Sequence, residues 1–223
     1  LALGVALRYI HSNLVGNIPS NNSYKAGTAI AGDISMYYDG VTEKNGAGFA
    51  WGVVLSNLGS KIGYTSDNDN KDYIPANLGV GVRYTYGIDE ASKINFGLEF
   101  NKLLVPSPPN DSALYVAYRS SSVLNSWGKS FSDGGGFVKS LQFSLGAEYA
   151  YNDQFFVRLG YFGENAIEGG RKYATAGVGI KYNVMNFNFS YLIAAGSGIG
   201  NQSPLANTLR FGISFDLDPE ETK

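Results

Sequence analysis

Apolar and polar residues alternate along most of this chain, in about eleven short runs. The clearest run is Leu141, Phe143, Leu145, Ala147, Tyr149 and Tyr151, interleaved with Gln142, Ser144, Gly146 and Glu148. Successive side chains on a strand point to opposite faces, so a period of two means one apolar and one polar side. The predicted strands are 1–10, 27–38, 47–56, 60–66, 76–87, 92–103, 139–151, 154–162, 172–182, 186–193 and 207–217. A weak helical period lies within 112–130. The opening residues alternate Leu3, Val5, Leu7 and Tyr9 against Gly4, Ala6 and Arg8, a strand pattern and not a signal peptide. The chain lacks an initiator Met and reads as processed or truncated.

The connections differ in length. Residues 57–60, 88–91, 152–153 and 183–186 read as tight turns, with Asn152-Asp153 a two-residue hairpin signal. Residues 39–46, 67–75, 104–138, 163–171 and 194–206 read as longer polar connections. Short turns at one end and long loops at the other mark an up-and-down membrane barrel. A soluble Greek-key sandwich would mix them, and its inward faces would alternate too, so it stands as the rival fold. The 11–26 connection is irregular, being long on the short-turn side.

The apolar rows include Leu78, Val80, Val82 and Tyr84, then Ile94, Phe96, Leu98 and Phe100, and finally Leu209, Phe211, Ile213 and Phe215. Many end in Tyr (Tyr38, Tyr86, Tyr151, Tyr161, Tyr182, Tyr191), as rings at a headgroup interface would. The opposite face carries Arg8, Asp33, Arg83, Glu99, Glu148, Arg158, Lys181, Arg210 and Asp216 among glycines. These residues are expected to line the lumen. Their mixed signs suggest pairing, either as a packed structural network or as the wall of a polar solute path.

Composition narrows the choice. The 223 residues show no linker between halves, so residues 1–217 read as one domain followed by a polar tail, 218–223. A net charge of −2 argues against nucleic acid as partner. Charged residues make up 16%, against about 25% in ordinary soluble domains. No Cys is present, which removes disulfides and thiolate metal sites. No apolar run reaches the ~18 residues of a membrane helix.

Little here suggests bond chemistry. His11 is the single His and reads as a turn residue. Gly79-Val80-Gly81 and Gly177-Val178-Gly179 lack the strand-to-helix setting of a dinucleotide loop. No catalytic residue, metal ligand or cofactor site is assigned, and the chain is not expected to be an enzyme. The 104–138 segment is the strongest functional candidate. It opens with Pro106, Pro108 and Pro109, which stiffen the exit from the strand, and carries Tyr118, Trp127 and Phe131. It is too apolar for an idle loop. It is either a lid over its own barrel or a docking surface with aromatic anchors.

Four strings carry a family resemblance: residues 55–64, residues 101–109, residues 145–165 and residues 203–211. Together they resemble the PorV family of the Bacteroidetes type IX secretion system. That family is similar to FadL-type transporters, 14-stranded barrels with an N-terminal hatch. The resemblance implies that about eleven strands lie here, with the hatch and three strands absent, and that the long loops are extracellular. It further implies an accessory outer-membrane barrel without cofactors. Such a barrel binds the large translocon barrel and the C-terminal domains of secreted cargo, then passes cargo to the surface attachment complex. Pro106, Pro108, Pro109, Tyr118, Trp127 and Phe131 are then the expected contacts. The alternative is a FadL-like transporter of hydrophobic small molecules. The tail 218–223 departs from the pattern by running past the last strand.

Overall fold

A computed structural model describes residues 1–14, 24–41, 46–65, 71–109, 111–132, 135–195 and 207–216. In chain order the strands and helices are β1 (Ala2–Ser12), β2 (Gly27–Asp39), β3 (Gly48–Gly59), β4 (Ile62–Gly63), β5 (Lys71–Asp72), β6 (Asn77–Gly87), β7 (Ser92–Leu103), α1 (Ser112–Ser120), α2 (Val123–Lys129), β8 (Leu141–Tyr151), β9 (Phe155–Gly163), β10 (Lys172–Tyr182), β11 (Met185–Ala194) and β12 (Thr208–Phe215). The all-β class holds. No described helix is long and apolar enough to cross a membrane. The predicted tail, 218–223, lies outside the described residues.

Ten strands form one ladder in the order β1-β2-β3-β6-β7-β8-β9-β10-β11-β12, each beside its neighbour in sequence once β4 and β5 are set aside. This is up-and-down topology. Among the described residues β1 and β12 end the ladder and do not pair with each other. The chain divides into two compact units. One is Leu1–Tyr37, Gly52–Val80 and Asn101–Leu141; the other is Tyr38–Trp51, Gly81–Phe100 and Gln142–Lys223.

Register keeps the two faces apart. In the β1–β2 pair, Leu3 faces Met36, Val5 faces Ile34 and Tyr9 faces Ile30, while Arg8 and Ala6 face Ala31 and Asp33. Between β8 and β9, Tyr149 meets Val157 and Tyr151 meets Phe155, while Glu148 meets Arg158. The apolar rows continue through Val157 opposite Val178, Val178 opposite Phe189, and Phe189 opposite Phe211. A slip of one residue would exchange the faces along a whole strand.

Most buried apolar residues are small: Ala29, Ala31, Ala50, Ala76 and Ala150. Large apolar side chains point the other way, with Leu7 86%, Leu159 63% and Phe211 68% exposed. A soluble sandwich buries such residues between its sheets. A sheet that turns them outward over many strands needs an apolar medium as neighbour.

Two details depart from the sequence-based expectation. The predicted strand 60–66 shrinks to β4, which pairs only with β5 as a short ribbon outside the ladder. The expected turn at 57–60 is the end of β3: Ser60 N–H donates to the Ile30 carbonyl at 2.9 Å, so pairing with β2 continues through it. Asn57 sits there at φ 56°, and a Cβ on Gly59 would run into the Ile30 carbonyl oxygen. Residues with turn chemistry also serve bulges and close strand contacts, which is what they do here. The 60–76 stretch is therefore one long connection. With ten ladder strands, 13–26, 60–76, 104–140, 164–171 and 195–207 share one end, while 40–47, 88–91, 152–154 and 183–184 share the other. The irregular long connection after β1 thus joins the long side. Connections 40–47 and 164–171 are equal in length, so the other seven carry the asymmetry. At the short end Asn152 and Asp153 both have φ 52°, the left-handed pair of a tight hairpin.

Candidate functional site

The 104–140 connection folds into a helical cap. Leu104 is buried, and its N–H donates to the Ala76 carbonyl at 2.7 Å, which ties the start of the segment to the foot of β6. Asp111 begins α1: its side chain accepts from Leu114 N–H at 3.3 Å and its carbonyl from Tyr115 N–H at 2.9 Å. Ser122 caps α2 by accepting from Asn125 N–H at 3.3 Å. Ser126, Ser130 and Ser140 are fully buried. Each hydroxyl donates to the carbonyl three residues earlier, at 2.6, 2.7 and 2.8 Å, so none is buried without a partner.

A clamp holds α1 against the ribbon. The last carbonyls of a helix lack partners within it and carry partial negative charge. Here Lys61 Nζ donates to the Arg119 and Ser121 carbonyls at 2.5 and 2.7 Å and lies 4.2 Å from the centre of the Tyr73 ring. Tyr73 Oη donates to the Tyr118 and Ser121 carbonyls, both at 2.9 Å. Tyr118 meets Tyr73 edge-on at 5.3 Å and stacks on Tyr115 at 5.8 Å. Arg119 adds an ion pair to Asp72 at 2.8 Å. Burial lowers the pKa of Lys61, with nearby Asp72 opposing. Burial raises the pKa of Tyr73 and of Tyr118.

The inward-facing residues of α1 are thus Tyr115, Tyr118 and Arg119, spaced three and four apart. This leaves Leu114 and Val116 pointing out, 60% and 69% exposed, with Leu124 of α2 at 73%. Of the expected contact residues, Tyr118 is occupied within its own chain. Trp127, Pro106 and Pro109 are half-buried, whereas Pro108 and Phe131 are exposed. Phe131 stacks on Phe137 at 6.0 Å. Leu114, Val116 and Leu124 form the larger exposed apolar contribution. Helical periodicity with an aromatic inner face is the signal that would have found them.

The nine charges expected in the lumen fall on the polar face, and most pair between nearby strands. In the first unit Arg8 binds Asp33 and donates to Asn57 Oδ1 at 2.8 Å. Asn57 N–H reaches Asp33 at 2.8 Å, and its amide nitrogen reaches the Pro75 carbonyl at 3.1 Å. In the second unit a belt crosses the sheet. Thr85 bonds Asn95 at 2.6 Å, and Asn95 donates to Glu148 at 2.9 Å. Arg158 then binds Glu148 at 2.5 Å and Asn188 at 2.7 Å. To reach Asn188 on β11 the Arg158 side chain passes over β10 at Gly179, where a Cβ would lie 2.9 Å from its Nη1. Arg83 pairs with Asp39 at 3.1 Å and Lys181 with Asp216 at 3.6 Å. Glu99 lies alongside Gly81, and Arg210 stands opposite Ser190. Such a network braces a sheet whose interior is polar.

The family model described as "Type IX secretion system protein PorV" matches residues 1–110. Residues 1–110 belong to the PorV family. Over these residues, 110 of the 223, the chain is similar to a component of the type IX secretion system. No curated protein matches the chain. The matched stretch covers β1 to β7 and the prolines that lead into the cap, while α1 and α2 lie past it. The chain shows no cluster of three or more His, Asp or Glu able to hold a metal among its described residues. Its arrangement offers binding surfaces, with the polar belts serving the wall and the cap presenting apolar side chains beyond it.

Proposed function

We propose that this PorV-family chain is the wall and cap of an accessory outer-membrane barrel, and that the cap recognises protein. Its long connections face the cell exterior. Through them it binds the large translocon barrel and the C-terminal domains of secreted cargo, and hands cargo to the surface attachment complex. The observation that carries this reading is the exposure of Leu114 and Val116 on α1, whose end is clamped by Lys61 and Tyr73, together with that of Leu124 on α2. Exposed aliphatic side chains on a rigid platform outside the wall are suited to a protein partner.

The transporter reading has less support. An open apolar groove of about 580 Å³ does exist, lined by Phe49, Tyr84, Phe96, Ala147, Leu159 and Tyr161. These residues belong to the apolar, outward rows, and a path through the interior would need such a groove on the polar face. That face is crossed by the Glu148–Arg158 belt.

Affinity capture of the full-length protein from outer membranes in mild detergent tests the proposal. Wild type should bring down a very large barrel or proteins sharing one C-terminal domain. Leu114→Ser with Leu124→Ser should lose them while the barrel still inserts. Equal recovery by the variant would remove the cap from the mechanism, and recovery of the barrel alone with bound fatty acid would favour transport.

A further inference from the structure

The apolar face of β7, with Phe96, Leu98 and Phe100, reaches Lys102 by the same two-residue period. Lys102 is only 3% exposed, and its ammonium donates to the Leu103 carbonyl at 2.7 Å. It also lies 5.9 Å from the centre of the Phe131 ring. Phe131 therefore rests against the outward side of the strand end, not over the polar interior. Phe131 stacks on Phe137 with the rings 16° apart, and both are open on their other side, at 40% and 47% exposure. Val138 beside them is 79% exposed. Three residues later the apolar row of β8 begins at Leu141. The patch thus runs from the outward position at the end of β7 to the outward position at the start of β8, at their long-connection ends.

Charge adds a second argument. Lys129 and Lys139 flank the patch and are both exposed. Between Ser121 and Ser140 the sequence holds only one acid, Asp133, against these two lysines. Stacked rings with basic neighbours, at the level where an apolar wall ends, match the interfacial zone of a bilayer. Lysine stems can follow the apolar surface while the ammonium reaches the headgroups.

We propose that Phe131, Phe137 and Val138 form a membrane-surface anchor of the cap, with Lys129 and Lys139 binding the phosphates of anionic lipid headgroups. The anchor fixes the depth of the cap beside the wall, so that Leu114 and Leu124 are presented to partners at a set height. This rests on the outer-membrane reading above.

The test is quenching of tryptophan fluorescence by brominated phosphatidylcholine in vesicles, with and without phosphatidylglycerol. The full-length protein is used with Trp127→Phe, Trp51→Phe and Phe137→Trp, so that the cap carries the reporter. A parallel variant with Trp127→Phe alone keeps Trp51, on the Phe49 face of β3, as the insertion control. The indole at position 137 should be quenched more by lipid brominated near the headgroup than by lipid brominated near the chain end. Anionic lipid should increase that quenching, and Lys129→Gln with Lys139→Gln should abolish the increase. Quenching of Trp51 without quenching at 137 would overturn the anchor and assign the patch to protein or water. An unquenched Trp51 would overturn the outer-membrane reading and the anchor with it. Quenching at 137 that ignores the lysine changes would overturn the headgroup site.

Discussion

The wall and the cap both expose large apolar side chains, but they do so for different reasons. In the wall, Leu159 and Val178 belong to rows that repeat every second residue and meet like residues across each strand pair. Their exposure is a property of the whole sheet and needs a continuous apolar medium. In the cap, Leu114 is left outside because Tyr115, Tyr118 and Arg119 are used inside, on the clamp, and Leu124 of α2 is exposed as well. Their exposure is local, and it stands on a platform that is separately held. The lesson is that exposure alone does not define a site. The packing of neighbouring residues shows whether an apolar side chain is facing solvent of its own kind or waiting for a partner.

This comparison can be broken in several ways. The largest effect is expected from a charge in the wall. Leu159→Arg should destabilise the inserted protein by about 2–4 kcal/mol if the position is near the bilayer midplane. Leu124→Arg should change stability by less than about 0.5 kcal/mol, as at an ordinary surface site, yet abolish partner capture. Urea unfolding in lipid vesicles compares the two. Next, Arg158→Leu removes charged hydrogen bonds from Glu148 and Asn188 and should cost about 2 kcal/mol, measured the same way. Tyr73→Phe should cost about 1 kcal/mol, confined to the cap, because it removes the hydroxyl shared by two carbonyls at the end of α1. Hydrogen exchange should speed up in α1 and not in the strands. Ser122→Ala should cost about 1 kcal/mol or less, on α2 alone, from loss of the cap to Asn125.

The clamp also predicts a pH response. Burial raises the pKa of Tyr73 and Tyr118, so the undocked cap loses these protons first as pH rises. Docking stability from the tyrosines is full below about pH 10 and falls above it. Lys61 acts in the opposite sense, because its pKa is lowered in the docked cap and the undocked amine keeps its proton to higher pH. The tyrosine contribution is the one that loosens the cap at alkaline pH. Exchange rates in α1 should therefore rise above about pH 10 faster than the intrinsic rate, and Tyr73→Phe should weaken that rise.

The wall was readable because a two-residue period survives any tertiary detail. The alternation around Leu145, Ala147 and Tyr149 fixes which side each residue takes, and hence where Glu148 lies. The tight hairpin at Asn152-Asp153 was equally plain, since two residues there must adopt positive φ. Asn57 to Gly59 misled because turn-forming residues also build bulges, and only pairing to Ile30 distinguishes the two. The cap was the least readable part. Its inner face is fixed by Lys61 and Tyr73, which lie more than forty residues away in the chain. The aromatic residue that sequence favours as an anchor, Tyr118, is therefore drawn inward, and plain leucines and a valine take the outer surface.

The most direct test places a photo-crosslinking amino acid at position 124 of the full-length protein in living cells, with position 159 as the wall control. The account predicts protein adducts at 124, including a very large barrel or proteins with a common C-terminal domain, and lipid adducts at 159. Lipid adducts at 159 with no protein captured at 124 would contradict the cap as the surface that recognises secretion partners.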